Sequence, residues 1–144
     1  MISGFKVWGF KSLIEANVEL GLVNVFIGAN GSGKSNLLEA LGVIGAAAFG
    51  SVEPETLRYR GVRPGLPSLY KSSFKDERFR RFITLEATLK NATYRVGLDN
   101  PMTAPERKWR FVTESVQDGD NWLLSRNPRA CKLYSQDGTP ERIQ

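Results

Sequence analysis

The sequence contains no histidine and a single cysteine, Cys131. Without histidine, zinc–histidine sites and histidine general bases are excluded, and one cysteine cannot form an intrachain disulfide. No apolar run approaches the length of a membrane span, and the N-terminal segment lacks the apolar region of a secretion signal. We therefore expect a cytoplasmic protein that has no membrane partner.

The 144 residues are 41% apolar and 24% charged, which is typical of one globular domain. The net charge is +5, and residues 58–81 hold eight basic and two acidic residues. This basic stretch is a candidate footprint for DNA or RNA. The alternative is a solvated loop whose last residues begin a strand. The arginines that would contact nucleic acid are Arg58, Arg60, Arg63, Arg78, Arg80 and Arg81.

The first 50 residues show the pattern of an α/β core. Residues 4–10 and 16–20 are predicted strands, and the almost continuously apolar segment 22–27 (LVNVFI) is predicted to be a central strand buried on both faces. A helix is predicted over 34–49, because Leu37, Leu41, Ile44 and Ala48 follow helical spacing. Gly50 is its predicted C-terminal cap.

The rest of the chain divides into two parts. Residues 51–81 are predicted to be a basic loop or insertion, because their prolines and glycines interrupt regular elements. Residues 82–144 are predicted to be an antiparallel β-subdomain: alternating apolar residues predict a hairpin over 82–98, and further strands surround the Asp-Gly turns at 118–119 and 137–138.

Residues 28–35 read GANGSGKS and fit the phosphate-binding pattern G-x-x-x-x-G-K-[ST]. Glycine tolerates the backbone angles that let such a loop wrap a phosphate with its N–H groups at the start of a helix. Lys34 would reach the β- and γ-phosphates of ATP, and the Ser35 hydroxyl would bind Mg²⁺. The remaining residues of this predicted cradle are Gly28, Ala29, Asn30, Gly31, Ser32 and Gly33.

The flanks of this motif carry a resemblance. GFKSL (9–13), VNVFIGANGSGKSNLLEAL (23–41) and the distance between them resemble the N-terminal lobe of RecF/SMC-like ABC-type ATPases, which are predicted ATPases of the AAA family. The resemblance is clear from residue 4 to about residue 42. It implies that Asn30 and Asn36 lie beside the phosphates and Ser35, and that Lys11 and Ser12 border the nucleotide from the first sheet.

Members of that family complete the site with groups that we do not find in this sequence. The carboxylates of a Walker B strand orient the attacking water, and a signature loop faces the partner's ATP. Asp99 in VGLDN is the nearest match to Walker B, but Arg95 interrupts its apolar run and Asn100 replaces the glutamate. The family's Mg²⁺-contacting glutamine could be Gln117, Gln136 or Gln144.

The resemblance therefore implies an α/β P-loop lobe, with a mixed sheet, one Walker A helix and an antiparallel β-subdomain. It would bind ATP and Mg²⁺ and support hydrolysis in a DNA-processing or defence assembly, once a second ATPase head or a C-terminal lobe supplies Walker B and signature. Alone, the chain would hydrolyse ATP poorly or not at all. The alternative function is a non-catalytic, nucleotide-sensing module that binds nucleic acid. A P-loop kinase is disfavoured, because no acceptor site or lid pattern is present.

Overall fold

The computed structural model describes residues 1–72, 82–127, 129–135 and 139–142. Its strands are β1 (Ile2–Phe10), β2 (Leu13–Glu19), β3 (Ile83–Leu89), β4 (Ala92–Asp99), β5 (Arg110–Asp118), β6 (Asn121–Asn127), β7 (Ala130–Tyr134) and β8 (Pro140–Arg142). The helices are α1 (Lys34–Ala48), α2 (Pro54–Tyr59) and a short 3₁₀ helix (Pro67–Leu69). The chain combines helices and strands, as the predicted α/β class implies, but the predicted mixed sheet is wrong, because the described strands pair only in antiparallel fashion.

The described strands form one eight-stranded sheet in the order β2-β1-β3-β4-β5-β6-β7-β8. Every pairing among them is antiparallel. The two N-terminal strands were expected to form a mixed sheet apart from the β-subdomain. Instead, β1 pairs directly with β3, with Val7 opposite Leu85, and this pairing joins them into a single sheet.

The core lies between one face of the sheet and α1. Alternate residues of β1 and β3, such as Val7 and Leu85, are fully buried because side chains of a strand alternate between its two faces. From the helix, Ala40, Val43 and Ala47 are buried against this face. The packing fixes the axis of α1, and with it the position of the residues that precede its first turn.

The predicted helix is confirmed, with a broader apolar stripe. Of the predicted stripe, Leu37 and Ile44 are buried, Leu41 is half-buried and Ala48 is exposed. Ala40, Val43 and Ala47 are buried beside them. The helix ends at Ala48 with Phe49 as its C-cap, and Gly50 follows with φ 94° and donates its N–H to the Ala47 carbonyl, in the capping position predicted for it. The left-handed conformation at this position favours glycine and satisfies the last carbonyls of the helix.

The predicted central strand over 22–27 is wrong for this chain. Residues 20–29 belong to no strand, residues 22–23 form a bend, and residues 22–27 have no strand partner among the described residues. The side chains of Leu22, Val23, Val25 and Ile27 are 76–90% exposed. A strand requires a neighbour for its backbone N–H and C=O groups, and the described sheet is completed by other strands. We call residues 22–27 the unpaired segment.

The expectation that residues 51–81 contain no regular element is also wrong where the chain is described. Pro54 occupies the start of α2, where its missing N–H costs no helical hydrogen bond. Pro67 likewise begins the 3₁₀ helix. The β3–β4 hairpin and the β5–β6 turn at Gly119 are confirmed as predicted, while the second Asp-Gly turn, at 137–138, lies outside the described residues.

Candidate functional site

The glycine-rich loop (residues 28–35) connects the unpaired segment to the start of α1. Gly31 and Gly33 have φ of 82° and 91°, a region that side chains disfavour. Gly28 matters for space, because a Cβ there would lie 3.0 Å from the Ser32 Oγ. These glycines let the chain turn tightly enough to enclose a small space above the helix.

The first turn of α1 presents open N–H groups to this loop. The first helical hydrogen bond runs from the Leu37 N–H to the Gly33 carbonyl at 2.9 Å, and no side chain caps the helix. The N–H groups of residues 34–36 therefore lack helical acceptors. With no acidic residue in the first turn to compensate the helix dipole, this end favours an anion.

Lys34 folds back across the loop. Its Nζ donates to the carbonyls of Gly28 and Ala29 at 2.7 and 2.6 Å, and to the Ser32 Oγ at 3.2 Å. The ammonium group is thus held against the loop by three hydrogen bonds. A cavity of about 230 Å³ lies here, lined by residues 30–36 and by Arg63.

Ser35 and Asn36 stand at the rim of this cavity. Ser35 is exposed in the first turn of α1. The Asn36 Nδ2 donates to the Ser12 Oγ at 2.7 Å, which ties the helix to the turn between β1 and β2. The same turn approaches Gly33, where a Cβ would lie 3.3 Å from the Ser12 Oγ. The structure therefore brings Ser12 to the glycine-rich loop.

Glu39 is a charged residue on the buried face of α1, and the sequence analysis missed it. Only 5% of it is exposed, and its two carboxylate oxygens pair with Lys11 and with the Nε of Arg63. A buried carboxylate is retained only where such partners compensate its lost hydration. Its place one helical turn after Asn36, among apolar neighbours, was the signal that could have found it.

Hydrogen bonds and ion pairs link five side chains around the start of α1. Ser12 contacts Asn36, the Asn36 Oδ1 accepts from the Arg63 Nη2 at 3.4 Å, and Glu39 joins Arg63 to Lys11. We call this set the rim cluster: Lys11, Ser12, Asn36, Glu39 and Arg63. It places two cations beside the glycine-rich loop, in addition to Lys34.

A larger cavity, of about 600 Å³, adjoins the rim cluster. Lys11, Ser12, Arg63, Tyr70 and Lys71 are among the residues that line it. Burial, with the Glu39 carboxylate nearby, raises the pKa of the Tyr70 hydroxyl. Tyr70 consequently remains a hydrogen-bond donor, and it donates to the Arg63 carbonyl at 2.6 Å.

Asp99 does not lie on a Walker B strand in this structure. It ends β4, which is antiparallel to its neighbours, and its Oδ1 accepts from the Lys71 Nζ at 2.6 Å. Asn100 is fully buried, its Nδ2 donates to the Glu106 carbonyl and its Oδ1 accepts from the Glu106 N–H. Gln117 lies on β5 opposite Trp122. Gln136 and Gln144 lie outside the described residues.

The arginines predicted to bind nucleic acid separate in the structure. Arg58 is exposed in α2, the Arg60 guanidinium lies 5.2 Å from the centre of the Phe49 ring, and Arg63 belongs to the rim cluster. Arg78, Arg80 and Arg81 lie outside the described residues. Two of the three described arginines thus have intramolecular partners.

In the described part of the chain, no helix is long and apolar enough to cross a membrane. The same residues contain no group of three or more acidic or cysteine side chains that could hold a metal ion. A family model described as "AAA domain, putative AbiEii toxin, Type IV TA system" matches residues 23–127, well over half of the chain. No curated protein and no solved structure matches the chain significantly.

Proposed function

Because the chain belongs to the family of AAA domains described as a putative AbiEii toxin of a type IV TA system, we propose that it binds ATP through residues 28–36. The family supports a nucleotide-binding, ATPase-like function. The observation that carries the assignment to these residues is the Lys34 ammonium, which is held among the Gly28 and Ala29 carbonyls at the open start of α1. Backbone N–H groups and a lysine in this arrangement fit the β- and γ-phosphates.

The residues present also fit a magnesium ion. Ser35 offers an exposed hydroxyl at the first turn of α1, next to the cavity where phosphates would lie. Magnesium is commonly held by few protein oxygens together with phosphate oxygens and water, so a single protein hydroxyl is compatible with such a site. When bound, the ion would neutralise phosphate charge. Ser35 would then orient the ion, and Lys34 and the loop N–H groups would position the phosphate chain.

We further propose that the chain is the Walker A lobe of a RecF/SMC-like ATPase that serves a DNA-processing or defence assembly. The exposed unpaired segment supports this proposal, because an apolar run on both faces is typical of a strand with neighbours on either side. A C-terminal lobe or second head would supply those strands together with the Walker B carboxylates and the signature loop. Without them, attack of water on the γ-phosphate lacks its orienting groups.

The test is equilibrium binding of a fluorescent ATP analogue to the full chain, with and without Mg²⁺. Lys34→Ala should weaken binding at least about tenfold, equivalent to about 1.4 kcal/mol. Lys132→Ala, which removes an exposed lysine on β7, is the matched control and should bind as wild type does. Equal binding by the Lys34 variant would refute the site. Robust ATP turnover by the isolated chain, abolished by Lys34→Ala, would refute the incomplete-lobe proposal.

A further inference from the structure

Among the residues that the structure describes, Arg63 is the one that lines both the cavity at the glycine-rich loop and the larger cavity beside it. Its side chain is 66% exposed, so part of the guanidinium faces the space between the two. A nucleotide with its phosphates in the first cavity and its nucleoside in the second would extend past this guanidinium. The larger volume, about 600 Å³, has room for a nucleoside.

The position of Arg63 is fixed from two sides. Its carbonyl accepts from the Tyr70 hydroxyl at 2.6 Å, and its Nε pairs with the buried Glu39. Its Nη2 makes only a long contact, 3.4 Å, with the Asn36 Oδ1. The two short contacts hold the Arg63 backbone and its Nε, whereas Nη2 is held only weakly. Such an arrangement suits a residue that accepts a ligand without a large rearrangement.

The local charges also fit a polyphosphate. Lys11, Lys34 and Arg63 surround the start of α1, and Glu39 is the carboxylate that pairs with two of them. The set is therefore net positive next to a helix N-terminus. A guanidinium presents forked donors that match phosphate oxygens better than a point-like ammonium does.

We propose that Arg63 is a second cationic ligand of the nucleotide's phosphate chain, and that Glu39 is the positioning residue that holds it there. This inference rests on the proposed ATP site. It assigns Arg63 to the nucleotide rather than to nucleic acid. It also gives the buried Glu39 a role in the site as well as in the packing of α1.

The test is titration of the full chain with mant-ATP in the presence of Mg²⁺. Arg63→Gln should weaken binding about tenfold or more, because it removes a charge-assisted hydrogen bond to the phosphate oxygens. Arg58→Gln, which removes an exposed arginine of α2, is the matched control and should bind as wild type. Arg63→Lys keeps the charge without the fork, so its affinity should lie between those of wild type and Arg63→Gln.

A double-mutant cycle separates positioning from a purely structural effect. If Glu39 acts through Arg63, Glu39→Gln should weaken mant-ATP binding in the wild-type background and have little further effect in Arg63→Gln. Wild-type affinity in folded Arg63→Gln, while Lys34→Ala still abolishes binding, would overturn this inference alone. Should Arg63→Gln fail to fold, wild-type affinity in Arg63→Lys would overturn it. Absence of any Lys34-dependent binding would overturn the ATP site and this inference together.

Discussion

Gly42 of α1 lies against the chain segment that leads to Arg63. Gly42 faces residues 60–62. A Cβ at Gly42 would lie 2.7 Å from the Val62 Cγ2 and 2.8 Å from the Arg60 carbonyl oxygen. Both distances are shorter than real Cβ contacts allow. Gly42→Ala must therefore displace this segment, the helix, or both.

The magnitude follows from two opposing effects. Alanine is favoured over glycine in a helix interior by about 1 kcal/mol. The clash opposes this, because the separation from Val62 falls roughly 1 Å short of an optimal carbon–carbon contact, and overpacking of this kind costs about 1–3 kcal/mol. The segment cannot move freely, since the Arg60 and Val62 N–H groups both bond to the Leu57 carbonyl. We expect net destabilisation of about 1 kcal/mol.

Gly45, one turn later, is the matched control. A Cβ there would lie 3.4 Å from the Nε of the Arg60 side chain, which is long enough to yield. Gly45→Ala should therefore stabilise the chain by about 1 kcal/mol through helix propensity alone. Urea unfolding of both variants measures the difference, about 2 kcal/mol in total. Equal stability of the two variants would refute the close approach of α1 to residues 60–62.

Two further predictions concern Tyr94 and Val25. Burial, aided by its hydrogen bond to Glu114, raises the pKa of Tyr94 above its usual 10. Because only the unfolded state then ionises its tyrosine near that pH, the free energy of unfolding should fall as pH rises past 10, by up to about 1.4 kcal/mol per pH unit. Urea unfolding of Tyr94→Phe should show a shallower fall with pH. An unchanged fall with pH would contradict the raised pKa of Tyr94. Val25→Lys should change the free energy of unfolding by less than about 0.5 kcal/mol, because Val25 is 76% exposed. A loss above about 1 kcal/mol in chemical unfolding would mean that Val25 packs within this chain.

The elements predicted well from the sequence are those whose signals are local. The α1 helix and the β3–β4 hairpin follow from residues that lie close together in the sequence, and so does the turn at Gly119. Apolar periodicity and turn residues report such contacts directly. The pairing of β1 with β3 joins distant segments, and no local pattern encodes it.

The unpaired segment shows where prediction from local composition fails. Its composition predicts a strand buried on both faces, yet composition cannot supply the neighbouring strands that burial requires.

The short helix α2 was missed because Pro54 was taken as an interruption. In this structure it occupies the first helical position, where proline is favoured.

The candidate site was predictable where a motif encodes it. The pattern G-x-x-x-x-G-K-[ST] identifies the loop and Lys34, and the family resemblance pointed to Ser12, which the structure brings to Gly33 and Asn36. The roles of these residues toward ATP stay predictions. The pairing of Glu39 with Lys11 and Arg63 depends on the packing of three separate chain segments, and spacing within any one of them does not reveal these partners.

The antiparallel β1–β3 ladder also makes one contact of the fold far less local than the others. The hairpins from β3 onward form through contacts between neighbouring segments, whereas Val7 must find Leu85 across more than half of the chain. Closing so long a loop carries an entropic cost that only the completed ladder and its core offset. The segment enclosed by that closure holds the glycine-rich loop, α1 and Arg63. The proposed nucleotide site therefore lies within the segment that the least local pairing of the described sheet closes.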